Sequence, residues 1–266
     1  MIISFCIAAI ATLQINQPNI VVFLVDDLGW QDTSVPFWTK ETEFNRRYHT
    51  PSWERLASQG TKYTNAYSAG PVCTPSRTSL LTGQSPARSK ITYWTLYKDR
   101  DNSKKHPRLS PPDWDLDALQ PNDLTLPKLL KIAGYQTIHV GKAHLGAFDS
   151  PGGDPKTLGF DVNVAGHGAG APGSFYGEHR FKATRSKTDF SKDQIWDVPG
   201  LEQYHDKDIF LSEALAIEAC DAIDNAMAAE KPFFLHFATY AVHTPIMSNP
   251  RYIDRYRAID KREAAY

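Results

Sequence analysis

Four short stretches of this chain carry side chains that could do chemistry together: Asp26-Asp27, Cys73-Thr74-Pro75-Ser76-Arg77, Lys142-Ala143-His144 and His243-Thr244-Pro245. Asp26 and Asp27 are adjacent carboxylates, which repel unless a cation neutralises them. A hard divalent ion with oxygen ligands, Ca²⁺ or Mg²⁺, would do so. The same pair also reads as a turn or cap, where Asp is common. Cys73 opens a stretch with Pro75 early and Gly83 late, the pattern of a short helix. Residue 73 would then sit where unpaired N–H groups and the helix dipole favour negative charge. Arg77 follows one turn later on the same face. Taken alone, Cys73 reads equally as a buried structural cysteine.

Lys142 and His144 are separated by one residue. In an extended backbone alternate side chains share a face, so both could meet one anion. Lysine would act as a point charge; histidine would donate to an oxygen or move a proton. His243 follows an apolar run, and Pro245 keeps its loop extended. The plainer readings are a solvated lysine and loop histidines. His167 and His179 flank a Gly-rich segment within reach of a substrate, whereas His236 alternates inside a strand and reads as core.

The elements that must position these groups are legible as alternating patterns. Residues 19–25 (NIVVFLV) form an unbroken apolar, β-branched run, predicted as a central strand buried on both faces. A helix is predicted from Thr50-Pro51 to Gln59, a strand over 61–67, and the Cys73 helix next. Residues 88–121 read as an elaborated loop. A helix over 125–133 leads to a strand over 135–140. Residues 148–199 are Gly/Pro-rich and irregular, the composition of a pocket-shaping surface segment. A long amphipathic helix over 208–230 precedes a strand over 232–240, and residues 250–266 read as helical. Strands alternating with helices imply an α/β fold with a mainly parallel sheet. Ligands gather at the carboxyl ends of such strands. Asp26-Asp27, Lys142-x-His144 and His243 all fall there, and Cys73 joins them from a helix start.

Composition narrows the function classes. The 266 residues include 29 Lys+Arg and 30 Asp+Glu, a net charge of -1. That gives no charge excess for nucleic acid, and no basic run is interleaved with aromatics. Residues 1–13 (MIISFCIAAIATL) are apolar with an Ala9-Ile10-Ala11 site, which reads as a secretory signal and is too short to span a bilayer. Residues 1–18 are therefore expected to be a leader, residues 19–266 the catalytic domain, and the protein secreted or periplasmic without stable membrane insertion. Of Cys6, Cys73 and Cys220, only Cys220 stays a thiol if the leader is removed and Cys73 is oxidised.

The C-x-P-S-R run at Cys73, continued to Gly83, resembles the signature of type I sulfatases, which have an alkaline-phosphatase-like fold. The resemblance extends through Asn19-Ile20 to Gly29, Leu126-Pro127 to Thr137, Gly141-Lys142-x-His144-Leu145-Gly146, Gly159-Phe160-Asp161 and His243-Thr244-Pro245. It implies that Cys73 is oxidised to formylglycine by a formylglycine-generating enzyme, a transient partner. One hydroxyl of the hydrated aldehyde would attack sulfur and the other would expel sulfate, two steps of covalent catalysis. It further implies that Asp26, Asp27 and residue 73 bind a divalent cation, calcium ahead of magnesium. Arg77 would stabilise the hydrated aldehyde, and Lys142, His144 and His243 would hold sulfate oxygens or assist the hydrate. The implied substrate is a sulfate ester on a sugar or polysaccharide.

Two departures stand out. Ala143 replaces a family tryptophan. The family's further Asp-Asn pair and lysine have no match after His243, so the chain is expected to be an N-terminal fragment with its C-terminal part missing, inactive by itself. The rival readings are a phosphomonoester, phosphodiester or phosphonate hydrolase of the same superfamily, and a non-catalytic fragment or degenerate binding protein.

Overall fold

The computed structural model describes residues 17–103, 107–183, 194–256 and 258–265, excluding the side chains of residues 262 and 263. Residues 1–16 of the expected 1–18 leader, with Cys6, lie outside the described residues. In chain order the elements are β1 (Ile20–Leu24), α1 (Glu43–Arg47), α2 (Pro51–Gln59), α3 (Cys73–Thr82) and α4 (Pro86–Ser89). They continue as α5 (Leu126–Ile132), β2 (Gln136–Gly141), β3 (Val162–Val164), α6 (Leu211–Ala228), β4 (Phe233–Ala238) and α7 (Lys261–Ala265).

The four strands form one sheet in the order β1-β4-β2-β3, and every pair is parallel. The register aligns Leu24 and Gly141 with Ala238. Three strands therefore end level, and Asp26, Lys142 and the loop to His243 leave the sheet at one edge. Gly141 is required at that edge. Its φ is +101, and a Cβ there would lie 1.9 Å from the Ala238 carbonyl oxygen.

Side chains alternate across the sheet as strand geometry demands. Ile138, Val140, Phe233 and Leu235 pack on one face with Leu211, Ala214 and Leu215 of α6. Phe234 and Tyr135 pack on the other with Leu81 of α3 and Leu126 and Leu130 of α5. Helices thus flank both faces, as the α/β reading expects. His236 is fully buried in β4, as its alternation predicts.

Three expectations are corrected. β1 is an edge strand among the described residues, paired by β4 only. Val21 and Phe23 are 53% and 46% exposed, because α6 packs on β2 and β4, while Phe23 of β1 meets the Trp53 ring of α2 and the Phe237 ring of β4. An apolar run cannot distinguish the two positions. Residues 61–67 are coil and turn, not a strand; their β-branched and aromatic content finds no sheet partner, and Tyr63 and Tyr67 are exposed. The stretch after Pro250 holds a short 3₁₀ turn at Ile253–Tyr256 and then α7, not one helix.

Candidate active site

Asp26 is the hub of the strand-end edge. Its carboxylate is buried, accepts from Arg77 Nη2 at 2.7 Å on Oδ1, and accepts from Lys142 Nζ on Oδ2. Arg77 Nη1 also donates to the Lys142 carbonyl at 2.7 Å. Burial alone would push the Asp26 carboxyl up. The Arg77 and Lys142 charges outweigh it and hold the group below the usual carboxylate range. Lys142 is pushed down from the ordinary lysine value by burial and by the Arg77 charge. The Asp26 loop is fixed to the His243 loop by backbone: Asp26 N donates to the Ala241 carbonyl at 3.1 Å, and Val242 N to the Asp26 carbonyl at 2.8 Å.

Cys73 is the first residue of α3, which starts without a side-chain cap at Val72 and ends at Gly83 in the left-handed conformation. The first-turn N–H groups beside residue 73 thus receive no side-chain cap from Val72. Lys142 Nζ donates to Cys73 Sγ at 3.2 Å. Burial pushes the Cys73 thiol up, but hydrogen bonding with His243 and the Lys142 charge outweigh it and lower it. His243 is raised by that same bond, against burial. Its Nδ1 faces the Thr244 carbonyl at 2.9 Å and its Nε2 lies 3.7 Å from Asp27 Oδ2. Acceptors at both ring nitrogens favour the imidazolium.

His144 is reached differently from the sequence expectation. Its backbone has φ +53, so Lys142 and His144 do not share a face by strand alternation. Lys142 turns inward to Asp26 and Cys73. The His144 ring instead lies beside the strap at Thr95, donating through Nε2 to the Thr95 carbonyl at 2.7 Å. Its Nδ1 is then a lone-pair acceptor, and it is buried without a partner. Burial and the nearby Lys142 charge push this histidine down to about 3, so it is neutral. Gly170 packs on the ring; a Cβ there would lie 2.3 Å from Nδ1.

A cavity of about 710 Å³ opens on these groups, with Asp27, Cys73, His144 and His243 in its wall. Ligand pockets span roughly 300–1,000 Å³. His167 and His179 are not among the residues lining it. His167 lies in a separate cleft with Phe148, and His179 Nδ1 pairs with Ser174 Oγ at 2.9 Å.

The sulfatase family model matches residues 18–265. The chain belongs to the sulfatase family. It is 32% identical to N-acetylgalactosamine-6-sulfatase of Canis lupus familiaris over 92% of this chain and 45% of that protein. The Homo sapiens protein of the same name gives the same figures. The crystal structure of Ps i-CgsB in complex with k-i-k-neocarrahexaose superposes with a TM-score of 0.67 at 26% identity, covering 93% of this chain and 51% of that one. The chain thus spans about half the length of the relatives it matches. The parallel sheet with helices on both faces is the alkaline-phosphatase-like fold of those sulfatases.

Ligand atoms of Asp26, Cys73 and His243 lie within 4.8 Å of one another, and Asp27 lines the same cavity. Two carboxylates suit a hard divalent cation. A thiol at residue 73 does not, whereas the oxygen of an oxidised residue 73 would. In this sulfatase-family chain Arg77 and Lys142 balance Asp26, so the charge compensation expected of a cation is shared by two side chains. The motifs did not point to Thr95 or Gly170, which hold His144 through backbone and close packing and carry no chemical group to notice. Among the described residues no helix is long and apolar enough to cross a membrane, and Cys73 and Cys220 are free.

Proposed function

We propose that the protein containing this chain hydrolyses a sulfate ester on a sugar, with residue 73 oxidised to formylglycine as the nucleophile. The observation that carries the reading is the placement of Cys73. It sits at an uncapped helix N-terminus, 3.2 Å from Lys142 Nζ and hydrogen-bonded to His243, on a ligand-sized cavity. The relatives' names, and the saccharide complex of one, support a sugar substrate.

In this reading one hydroxyl of the hydrated aldehyde forms a bond to sulfur while the sulfur–alcohol bond breaks. The His243 imidazolium supplies the proton that the alcohol takes, and the proton lost by the attacking hydroxyl restores that imidazolium, so the step balances. The second hydroxyl then loses its proton, the carbon–sulfate bond breaks, and the aldehyde returns. His144 lines the same cavity and has an Nδ1 lone pair without a partner among the described residues; it takes that proton as a weak base, because burial holds it down to about 3. Water rehydrates the aldehyde, so the sum is ester plus water to alcohol plus sulfate. Lys142 and the N–H groups of α3 offset the charge on the sulfate oxygens. Arg77 fixes Asp26 and the Lys142 backbone. A divalent cation, calcium before magnesium, held by Asp26, Asp27 and the residue 73 oxygen, would polarise the ester when bound.

Maturation requires a formylglycine-generating enzyme acting on the Cys73 segment. Residues 1–18 act as the leader of a secreted or periplasmic protein, and residues 19–266 carry the catalytic groups named above. The test is turnover of 4-nitrophenyl sulfate against 4-nitrophenyl phosphate by the complete protein. Preference for sulfate is expected. Preference for phosphate would overturn the reading in favour of a phosphoester or phosphonate hydrolase, and no turnover of either would favour a binding protein.

A further inference from the structure

Two tryptophans outside every motif line the Cys73 cavity, Trp94 and Trp196. Both are half-buried, so part of each indole is open to whatever occupies the cavity. We infer that Trp94 and Trp196 are stacking platforms for saccharide rings and determine which sulfated sugar is accepted. This rests on the sulfatase reading above.

The backbone that carries each platform is held by hydrogen bonds within the fold. Trp94 precedes Thr95, which is fully buried and tied on three sides. Thr95 N donates to Thr74 Oγ1 at 3.2 Å, next to the nucleophile. The Thr95 carbonyl accepts from His144, and its hydroxyl donates to the Leu116 carbonyl. Trp94 is therefore held in register with both residue 73 and His144. Its own carbonyl accepts from Asn102 Nδ2 at 3.5 Å, and its ring lies 6.0 Å from that of Tyr93.

Trp196 is pinned from the other side of the sequence. Its carbonyl accepts from Gly173 N, beside the cavity wall. The next residue, Asp197, accepts from Ala183 N and Gln194 N at 2.9 Å each, with Lys182 Nζ at 3.7 Å. The backbone beneath both indoles is already held, so less ordering remains for binding to impose.

The chemistry of a pyranose suits such walls. Its ring carries C–H groups on its faces and hydroxyls at its edges. An indole covers the C–H face and leaves the hydroxyls free for water or polar groups. It does so with a rigid, amphipathic surface of low rotamer entropy. The remaining wall near Cys73 is apolar as well, with Val72, Leu96 and Pro172. A cavity of about 710 Å³ leaves room beyond the sulfated ring.

The experiment measures kcat and KM of the complete, matured protein and its Trp94→Ala, Trp94→Phe and Trp196→Ala variants. The probes are N-acetylgalactosamine 6-sulfate, a sulfated carrageenan oligosaccharide and 4-nitrophenyl sulfate. For the saccharide the parent prefers, each alanine variant is expected to lose about tenfold or more in kcat/KM, mainly through KM. The loss with 4-nitrophenyl sulfate is expected to be smaller, and Trp94→Phe should recover part of the saccharide loss. Equal losses on sugar and aryl sulfate would mark a structural role and overturn the inference. So would saccharide kinetics within about twofold of the parent. A parent that cleaves the aryl sulfate and neither saccharide would overturn the inference and leave the sulfatase reading standing. A parent that cleaves no sulfate would overturn both.

Discussion

The sheet buries two clusters of polar groups, one at the strand ends and one within the strands, and they are solved in opposite ways. At the strand ends, Asp26, Arg77 and Lys142 are buried as charges, each facing a partner. Within the strands, His139 and His236 are buried as neutral rings paired across β2 and β4. His139 Nε2 donates to the Gly141 carbonyl at 2.9 Å, so its Nδ1 must accept. His236 Nδ1 then donates to it at 3.0 Å, which leaves His236 Nε2 as a buried lone pair without a partner among the described residues. Burial pushes His139 down to about 3 and His236 well below its ordinary value. Burial itself is common to both clusters; the presence of a carboxylate decides whether the basic groups keep their charge. Only the charged cluster touches residue 73.

If that division of labour is right, Cys73→Ala should abolish turnover, by at least about 1,000-fold, and leave the thermal midpoint nearly unchanged. Retained turnover would remove the nucleophile from the charged cluster. Acid should act first through the neutral buried histidines, the His139–His236 pair together with His144 of the cavity wall. His139 and His144 have folded values near 3 and His236 lies well below normal, all under the unfolded value of about 6.5. Stability is therefore full above about pH 6.5. It falls as pH drops toward the folded values, because only the unfolded state takes up protons there. Each of the three contributes up to about 1.4 kcal/mol per pH unit. Denaturant midpoints between pH 7 and 5 check this; a flat profile would mean the rings are not neutral and sealed.

Asp26→Asn should cost about 3–5 kcal/mol, because Arg77 and Lys142 would be left buried without a counter-charge. Chemical denaturation measures it, and a cost below about 1 kcal/mol would show that the cluster is solvated. His236→Leu should cost less, about 1–3 kcal/mol, since it strands the His139 Nδ1 acceptor. Losing His236 as heavily as Asp26 would erase the distinction between the clusters.

The same contrast explains what was legible in the sequence. The charged cluster announced itself, because Asp26-Asp27, Cys73 to Arg77 and Lys142-x-His144 are compact motifs at predicted strand ends and a helix start. The central strands β2 and β4 were both legible, β4 from its apolar run, and α6 from its periodicity. The neutral pair was legible only in part. His236 read as core, but its partner His139 lies 97 residues away, and cross-strand register is not local information. The edge position of β1 was missed because an apolar run looks alike whether one neighbour strand flanks it or two. The geometry of His144 was missed because its left-handed backbone replaces the alternation assumed for it. Trp94 and Trp196 had no motif at all; their place on the cavity comes from loops tied by backbone hydrogen bonds.

The central claim is that residue 73 is matured into the nucleophile. The most direct test is the mass of the tryptic peptide Tyr63–Arg77 from protein made in its native host. The expected result is the mass of an aldehyde in place of the thiol at residue 73. An unmodified thiol there, in a host that oxidises other such motifs, would contradict the account.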